Sequence, residues 1–366
     1  MIIIHFASAG NDMLSGVGVA VPWHVMTQAR EETVGLINIR NVEMEALAEA
    51  CKTGNPVQLP FSTPFDVRKL SKPFDHPDLA VFHECYRPEY LAVARNLRKN
   101  GIPYIVCPHG ELRAEAQRKK ALKKKAANLL LFNSFVNHAA AVQCLSEEER
   151  KATAFGKRKF VGTNGVTAPA SFKERFSGEG VRFLYIGRYE WRVKGLDLLM
   201  KAIRLRGDLL RAEKAHFDFY GPDILGRLDA VRGLVAEQGV GDLVSLHTEI
   251  LGKEKLQALL DADIFIQTSR HEGMPMGILE AMYMGLPVLI TEGTTLAGPV
   301  RKAGCGWTAE TDAESIAAAL EQAVRDRSAW ASVGQRGRDL AASEYDWQVV
   351  SHRNLEEYRR ILADSK

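Results

Sequence analysis

The sequence predicts an α/β protein whose parallel sheets are distributed over two domains. Short apolar runs alternate along the chain with longer amphipathic stretches, and strands that alternate with helices favour parallel sheets covered on both faces. The chain has 366 residues, and at about 150 residues per domain this length suggests two domains. A turn at 163–165 and a stretch without periodicity that reaches residue 180 separate two such series.

Nine apolar runs have the length and composition of buried strands. We expect strands at residues 2–7, 79–83, 104–107, 140–144, 183–186, 216–220, 243–246, 264–267 and 287–290. We expect helices at residues 90–99, 196–205, 227–238 and 253–262, and three more near 314–325, 327–340 and 347–362. Because ligands of open α/β sheets bind beyond the carboxyl ends of strands, functional residues are expected in the loops that follow strands.

Composition and charge exclude several classes of protein. The 48 basic and 45 acidic residues give a net charge of +3, which is too balanced for a dedicated nucleic-acid binder. The five cysteines are scattered without a Cys-x-x-Cys pair, which argues against a disulfide framework or a zinc site and favours reduced thiols in a cytoplasm. The N-terminal apolar run is too short for a signal peptide, and polar side chains interrupt the most apolar window, 126–145. We therefore expect a cytoplasmic protein without a transmembrane segment.

The segment after the eighth expected strand carries the strongest functional signal. Pro275 suits the first turn of a helix that Gly285 would end, and the unpaired N–H groups of such a turn form a site for phosphate. Gly273 lets a ligand approach the backbone. Glu280, one to two turns into the helix, can accept two hydrogen bonds from a vicinal diol such as that of ribose. Glu272, in the loop before the helix, would face whatever is attached beyond the phosphates.

Two cations follow the strand expected at 183–186. Arg188 and Lys194 are flanked by Gly187 and Gly195. Cleavage of a sugar–diphosphate bond leaves negative charge on the leaving group, and two fixed cations can stabilise that charge without a metal. We therefore take both as candidate catalytic residues that bind a diphosphate, against the alternative of solvated surface side chains.

The first half of the chain contains two weaker patterns. Gly16 and Gly18 permit a tight turn that phosphate could reach, but Val21 stands where a dinucleotide fingerprint has its third small residue. This broken fingerprint disfavours a nicotinamide dehydrogenase. His109 lies in a Pro-His-Gly sequence after the strand expected at 104–107, where a purely structural histidine is the alternative to a functional one.

These patterns together resemble a known family of enzymes. The segment from Glu272 to Glu280 resembles the signature of retaining glycosyltransferase family 4. The Gly-Arg and Lys-Gly pairs at Arg188 and Lys194, and the Pro-His-Gly sequence at His109, are similar to other motifs of that family. The resemblance covers nearly the whole chain and is weakest over residues 10 to 75.

The resemblance implies the GT-B architecture, in which two Rossmann-like domains face each other across a cleft. The last helix then crosses back to the first domain. We accordingly expect an acceptor-side domain at residues 1–165, completed by a helix at about 347–366, and a nucleotide-sugar-binding domain at residues 180–346.

The resemblance also implies a role for each candidate residue. Glu280 would bind the ribose hydroxyls of the donor, and Glu272 would stabilise positive charge at the transferred sugar. Arg188 and Lys194 would bind the diphosphate, and His109 would position the transferred sugar. The remaining donor contacts would come from Gly273, Met274, Pro275 and Met276 at the diphosphate and sugar, from Ile250 at the base edge, and from Gly16 and Gly18 in a glycine-rich loop. Neither uracil nor guanine is dictated by these residues.

Two further features suggest partners. Tyr86 and Arg87 follow the strand expected at 79–83 and are either contacts for the acceptor or ordinary loop residues. Residues 113–125 hold seven basic side chains against Glu115 alone. On a helix they would form a solvated face or a peripheral contact with anionic lipid, where each cation contributes about 1 kcal/mol.

We therefore expect a hexosyltransferase-type enzyme that moves a sugar from a UDP- or GDP-sugar to a hydroxyl of a glycan or lipid-linked saccharide, with retention of configuration. No metal or other cofactor is expected. The enzyme would work in the cytoplasm, with the inner face of the cytoplasmic membrane as an alternative site. The other classes considered are a nucleotide-sugar epimerase, a different GT-B sugar-phosphate enzyme, and a two-lobed sugar-binding protein without chemistry.

Overall fold

The computed structural model describes residues 1–10, 16–112, 132–153, 155–224 and 226–364. The chain divides into two compact units. The first unit comprises Met1–Gly165 together with Trp347–Lys366, and the second comprises Val166–Asp346. Residues 113–125, which carry the expected basic helix, lie outside the described part of the chain.

The first unit is built on a seven-stranded parallel sheet in the order β3-β2-β1-β4-β5-β6-β7. Its strands are β1 (Ile2–Ala7), β2 (Thr33–Asn38), β3 (Val57–Leu59), β4 (Leu79–His83), β5 (Tyr104–Cys107), β6 (Ala141–Cys144) and β7 (Lys159–Val161). The central strands are apolar and buried along nearly their whole length, because both faces of a parallel sheet are covered.

Helices cover both faces of this first sheet. They are α1 (Gly16–Gln28), α2 (Ala48–Cys51), α3 (Pro88–Lys99), α4 (Asn133–Asn137), α5 (Glu147–Ala152) and α14 (Trp347–Ala363), the last being separated from the others by the whole second unit. Helix α14 is amphipathic and packs Leu355, Tyr358 and Ile361 against Ile3 and Val81 of the sheet. This packing places the C-terminal helix in the first unit.

The second unit contains a six-stranded parallel sheet in the order β10-β9-β8-β11-β12-β13. Its strands are β8 (Val181–Ile186), β9 (Ala215–Tyr220), β10 (Val244–His247), β11 (Ile264–Gln267), β12 (Val288–Thr291) and β13 (Gly306–Ala309). Its helices are α6 (Leu196–Leu205), α7 (Gly207–Ala212), α8 (Arg227–Gln238), α9 (Gly252–Asp261), α10 (Met276–Met284), α11 (Ala297–Ala303), α12 (Ala313–Arg325) and α13 (Trp330–Leu340).

The core of the second unit has two layers, one on each face of its sheet. On one face α6 buries Leu199 and Ile203 against Phe183 and Phe217, whose rings stack at 4.4 Å. On the other face α10 packs against β11 and β12. A helix of period 3.6 with one apolar stripe produces this arrangement, which holds the loops after β8 and β11 in place.

Four strands are missing from the sequence-based prediction: β2, β3, β7 and β13. Two of them are only three residues long, and β2 contains Gly35, which weakens its strand signal. Gly35 is needed because a Cβ there would press on Leu59 and Phe74. These four strands lie at the edges of the sheets or, for β2, next to an edge strand. The central strands, after which the candidate residues follow, lie where they were expected.

The turn predicted at Gly16 and Gly18 is wrong, because α1 begins at Gly16 and Gly18 lies in its first turn. The helical spacing of Val21 and Val25, which pack on β1 and β2, outweighs the low helix propensity of glycine. A smaller difference concerns Pro275, which is the residue before α10 and not a member of its first turn.

Candidate active site

The candidate residues of the second unit lie in loops that follow β8 and β11. These strands are neighbours in the sheet, with Phe183 paired with Ile264. Their carboxyl ends therefore reach the same edge, and the loops 187–195 and 268–275 leave the sheet side by side. This edge is where an open α/β sheet places a ligand.

Lys194 and Glu272 form an ion pair at this edge. Both side chains are largely withdrawn from solvent, with 11% and 20% of their surface exposed. Gln267 Nε2 and Ser269 Oγ donate further hydrogen bonds of 3.2 and 3.3 Å to the same carboxylate oxygen. The backbone N–H of Glu272 donates to the carbonyl of Gly293 at 2.9 Å. The carboxylate is thus held in one position by a cation and two neutral donors.

The backbone around Lys194 is tied to the end of β11. Gly195 has a φ of +64°, and a Cβ at this position would collide with the carbonyl oxygen of Thr268. The Thr268 hydroxyl in turn lies 3.3 and 3.2 Å from the carbonyl oxygens of Lys194 and Gly195, to which it can donate. Arg270 reinforces the junction with a bidentate ion pair to Asp197, at 2.7 and 2.8 Å. Only glycine permits this close approach of two loops.

Arg188, the second candidate cation, lies on the same loop in a different environment. Half of its side chain is exposed, and its guanidinium is 3.8 Å from Glu190. Glu190 is also paired with Arg227. Burial raises the pKa of Glu190, but the hydrogen bond from Arg227 and the charges of Arg188 and Lys194 outweigh it, so the net pKa lies below 4.5. Arg188 is therefore the more accessible of the two cations.

Glu280 lies on the second turn of α10 and forms an ion pair of 2.6 Å with Lys255 on α9. About a third of the carboxylate side chain remains exposed. Ile250, the predicted contact for the base edge, is half-buried in the loop between β10 and α9. Glu280 is thus part of a local ion pair and keeps a solvent-facing side.

The start of α10 is fastened from the neighbouring loop. The Thr295 hydroxyl donates a hydrogen bond to the carbonyl of Gly273. Pro275 precedes the helix with φ −80° and ψ 94°, and Met276 is its first residue. The first N–H groups of a helix have no acceptor within the helix, so this end of α10 presents donors at the same sheet edge as Lys194.

In the first unit His109 follows β5 and has a φ of +47°, a left-handed conformation that is unusual for histidine. Its Nε2 lies 2.9 Å from Nδ1 of His83, the last residue of β4. Burial, with a contribution from nearby His24, lowers the pKa of His109 to about 3. The imidazole is therefore neutral at pH 7.

The other first-unit candidates have partners of their own. Arg87 makes a bidentate ion pair with Glu84, with nitrogen–oxygen distances of 2.6 to 3.0 Å, and precedes α3. Tyr86 packs edge-on against Phe132, with ring centroids 5.1 Å apart. Gly16 and Gly18 stand at the start of α1.

One group of side chains could hold a metal among the described residues. Ligand atoms of His83, Cys107 and His109 lie within 4.8 Å of one another. Burial raises the pKa of the Cys107 thiol well above its usual value, so without a metal the sulfur is protonated at pH 7. The two imidazoles already share a hydrogen bond. The donor set therefore fits a hydrogen-bonded cluster better than a metal centre.

Sequence reasoning missed several side chains that hold these candidates. Gln267 and Ser269 support Glu272, and His5 and His83 lie behind His109. The sequence signal that could have found them is a spacing of two residues along a strand, because side chains two residues apart lie on the same face of a sheet. That spacing becomes informative only when the register between strands is known.

A comparison with protein families decides the identity. The model of the family Glycosyl transferases group 1 matches residues 167–340, which include Arg188, Lys194, Glu272 and Glu280. Residues 167–340 therefore form a group 1 glycosyltransferase domain. The predicted family is confirmed, and with it the prediction that the chain is a glycosyltransferase.

Two relatives of this glycosyltransferase are themselves mannosyltransferases. The chain is 27% identical over 292 residues to the GDP-mannose:cellobiosyl-diphosphopolyprenol alpha-mannosyltransferase of Xanthomonas campestris, covering 75% of this chain and 71% of that protein. It is 27% identical over 194 residues to the human alpha-1,3/1,6-mannosyltransferase, covering 50% of this chain and 46% of that protein.

Solved structures show the same architecture as this group 1 glycosyltransferase. Sucrose-phosphate synthase from Thermosynechococcus elongatus matches with a TM-score of 0.71 at 16% identity, covering 100% of both chains. HepE from Anabaena in complex with UDP matches with a TM-score of 0.73 at 15% identity, covering 98% of this chain and 100% of that one. The predicted GT-B fold with two parallel-sheet domains is confirmed. No helix of the described residues is long and apolar enough to cross a membrane.

Proposed function

We propose that this glycosyltransferase moves a hexosyl group from a nucleoside diphosphate sugar to a hydroxyl of a glycan or lipid-linked saccharide, with retention of configuration and without a metal. The observation that carries the proposal is the Lys194–Glu272 pair at the sheet edge beside the start of α10. A cation and a carboxylate at one edge suit a reaction that separates a phosphate anion from a sugar cation.

The proposed chemistry separates charge at one bond. The bond between the anomeric carbon and the phosphate oxygen breaks, and its electron pair stays on that oxygen. Lys194 and Arg188 stabilise the negative charge of the departing diphosphate, and Glu272 stabilises the positive charge that develops at the sugar. The acceptor oxygen forms the new bond on the face that the phosphate left, and its proton passes to the departing phosphate oxygen, which holds the electron pair of the broken bond.

The remaining candidates are assigned to binding. Glu280 receives the ribose hydroxyls, and its exposed side allows this without loss of the ion pair to Lys255. The backbone from Gly273 to Met276 contacts the diphosphate and sugar. Ile250 lies against the base, and His109 positions the transferred sugar. In the first unit, Tyr86 and Arg87 contact the acceptor.

GDP-mannose is the donor we favour. Support comes from relatives whose names specify mannosyl transfer, in bacteria and in human. The relative from Xanthomonas acts on a saccharide carried by diphosphopolyprenol. A lipid-linked acceptor of the same kind would bring this enzyme to the cytoplasmic surface of a membrane.

The proposal is tested by binding and turnover together. Thermal shift is measured with GDP-mannose, UDP-glucose and the free nucleotides; a ligand at a hundredfold excess over its Kd stabilises by about 2.7 kcal/mol. Nucleotide release is then followed with and without diphosphopolyprenol-linked saccharides, in the presence and absence of a chelator. We expect release that requires the acceptor and survives chelation, together with a product of unchanged anomeric configuration.

The variant Glu272→Gln separates chemistry from binding in this assay. It keeps the shape of the side chain and removes its charge, so the donor-induced thermal shift should persist while turnover falls roughly 100-fold. Glu254→Gln, an exposed glutamate on α9, is the matched control. Conversion of the donor into an epimer without acceptor would assign an epimerase instead, and binding without turnover would assign a sugar-binding protein.

A further inference from the structure

Two histidines of the first unit lie on neighbouring strands, and a third follows the next strand of the sheet. His5 on β1 is paired in register with Val81 on β4, and His83 lies two residues further along β4. His83 is paired with Cys107 on β5, and His109 lies two residues beyond it. Since side chains two residues apart in a strand share a face of the sheet, His5 and His83 lie on one face, and the loop after β5 brings His109 next to His83.

Hydrogen bonds join these rings into a chain. His5 Nδ1 lies 2.9 Å from His83 Nε2, and His83 Nδ1 lies 2.9 Å from His109 Nε2. The rings lie edge to edge with centroids 5.2 Å apart at each step, and their planes are inclined by 20° and 30°. At the inner end, His5 Nε2 lies 3.0 Å from the side-chain oxygen of Gln28 on α1. His5, His83 and Gln28 are fully buried, whereas His109 is half-buried.

Each imidazole of the chain is neutral at pH 7. Burial lowers the pKa of His5 and of His109 to about 3, and that of His83 well below 6.5. A neutral imidazole carries one N–H donor and one lone pair, so every ring can donate once and accept once along the chain. The chain therefore has a direction.

Gln28 sets that direction. Its amide oxygen is assigned to the side that faces Nε2 of His5, at 3.0 Å. In this orientation the oxygen accepts from Nε2 of His5, which leaves Nδ1 of His5 as the acceptor for His83. The same logic at His83 makes His109 the donor through its own Nε2. His109 Nδ1 then carries no proton, and no hydrogen bond between the described residues occupies it.

We propose that Gln28, His5 and His83 are positioning residues that hold His109 as the Nε2–H tautomer, so that its Nδ1 accepts a hydrogen bond from a hydroxyl of the transferred sugar. This inference rests on the proposed function for the role of His109. Rotation of the His109 ring by 180° would exchange a carbon and a nitrogen at each edge, and the bond to His83 selects one orientation. The ring of an active-site histidine is commonly oriented by a partner in this way.

The chain itself is tested in the unmodified protein by NMR of histidine labelled with ¹⁵N. We expect scalar couplings across both N–H···N hydrogen bonds and the Nε2–H tautomer in all three rings. Loss of these couplings on addition of no more than one equivalent of Zn²⁺ per protein would indicate a metal site and overturn the inference. So would the Nδ1–H tautomer at His109, which corresponds to a reversed Gln28 amide. This measurement needs no activity, so it stands apart from the test of the glycosyltransferase reaction.

The role of the chain is tested by His83→Phe, which retains an aromatic ring and removes both hydrogen bonds. We expect kcat to fall roughly 10- to 100-fold while KM for the donor changes little. The matched control is His24→Phe. His24 is another buried histidine, whose ring centroid lies 5.7 Å from that of His83. It hydrogen-bonds to Asn164 and takes no part in the row of hydrogen bonds from Gln28 to His109. Equal kinetics for the two variants would overturn the positioning role. If His83→Phe does not fold, Gln28→Met removes the inner end of the chain and should alter the tautomer at His109 in the NMR spectrum.

Discussion

Lys194 and Glu272 lie 78 positions apart in the sequence, yet their side chains form an ion pair at the carboxyl edge of the second sheet. Each residue was a candidate for a different part of the reaction. Their pairing means that the protein carries its own counter-charge where a diphosphate is proposed to bind. A diphosphate that attracts Lys194 would release the carboxylate towards the sugar, which couples donor binding to the proposed catalytic group.

Replacement of the cation should impair the reaction and the fold. Lys194→Met should lower kcat/KM for the donor roughly 100-fold or more, because a fixed charge at the leaving group is lost. It also leaves the Glu272 carboxylate without its cation, which should lower the free energy of unfolding by about 1–3 kcal/mol. Steady-state kinetics and urea unfolding measure the two effects. Lys201→Met, an exposed lysine on α6, is the control, and matching kinetics for both variants would remove Lys194 from the site.

Loss of the Glu280 carboxylate should weaken nucleotide binding more than turnover. Glu280→Ala removes the proposed partner of the ribose hydroxyls and frees Lys255 from its 2.6 Å ion pair. We expect a rise in the donor Kd of roughly tenfold, as for the loss of hydrogen bonds to a charged group, with kcat largely retained. Isothermal titration with the nucleoside diphosphate gives the answer. An unchanged Kd, equal to that of Glu254→Ala, would contradict the assignment.

The glycine at the junction of the two loops should not tolerate a side chain. Gly195→Ala combines a left-handed conformation, φ +64°, with a collision against Thr268, so we expect a loss of about 2 kcal/mol or more in stability and reduced activity. Gly233 on α8 has open space around its Cβ position, and Gly233→Ala should stabilise by up to about 1 kcal/mol. Thermal unfolding compares the pair, and equal Tm values would refute the close approach.

The buried histidines should make stability depend on pH. The folded-state pKa is about 3 for His5 and about 4 for His24, both below the ordinary 6.5, so the unfolded state binds more protons as pH falls. The contribution of these histidines to the free energy of unfolding is complete above pH 6.5. It is lost as the pH falls towards 4, by up to about 1.4 kcal/mol per histidine and pH unit. Urea unfolding between pH 7.5 and about 4.5 should show this slope.

Variants separate this effect from general acid unfolding. His24→Phe should reduce the slope of the free energy of unfolding against pH by the contribution of one histidine. His138→Phe, at the surface, should leave this slope unchanged. Parallel curves for the wild type and His24→Phe would contradict the low pKa of His24.

Much of the architecture was predictable because strands and helices follow from local periodicity. The helices at 196–205 and 227–238 and the strands at 2–7, 79–83, 104–107 and 264–267 have the expected bounds. The exceptions are instructive. Strand β2 carries a glycine that packing requires, and α1 starts with two glycines that looked like a turn. In both places tertiary packing outweighs the local preference of a residue.

The candidate residues were recognisable one by one, because motifs place them in loops after strands. The residues that hold them were not recognisable, since Gln267, Ser269, His5 and His83 look like ordinary members of strands and loops. Their function depends on which strand lies beside which. The order β1-β4-β5 in one sheet and the pairing of β8 with β11 in the other are not encoded in any single window of sequence.

The sequence alone determined the fold class, the family resemblance and the loops in which the candidate residues lie, because apolar periodicity and short motifs are local properties of the chain. Only the tertiary structure decided that Lys194 meets Glu272, that Glu280 meets Lys255, and that His5, His83 and His109 form one line. The physical reason is strand order and register, which set the spatial neighbours of a side chain through contacts between residues distant in the sequence.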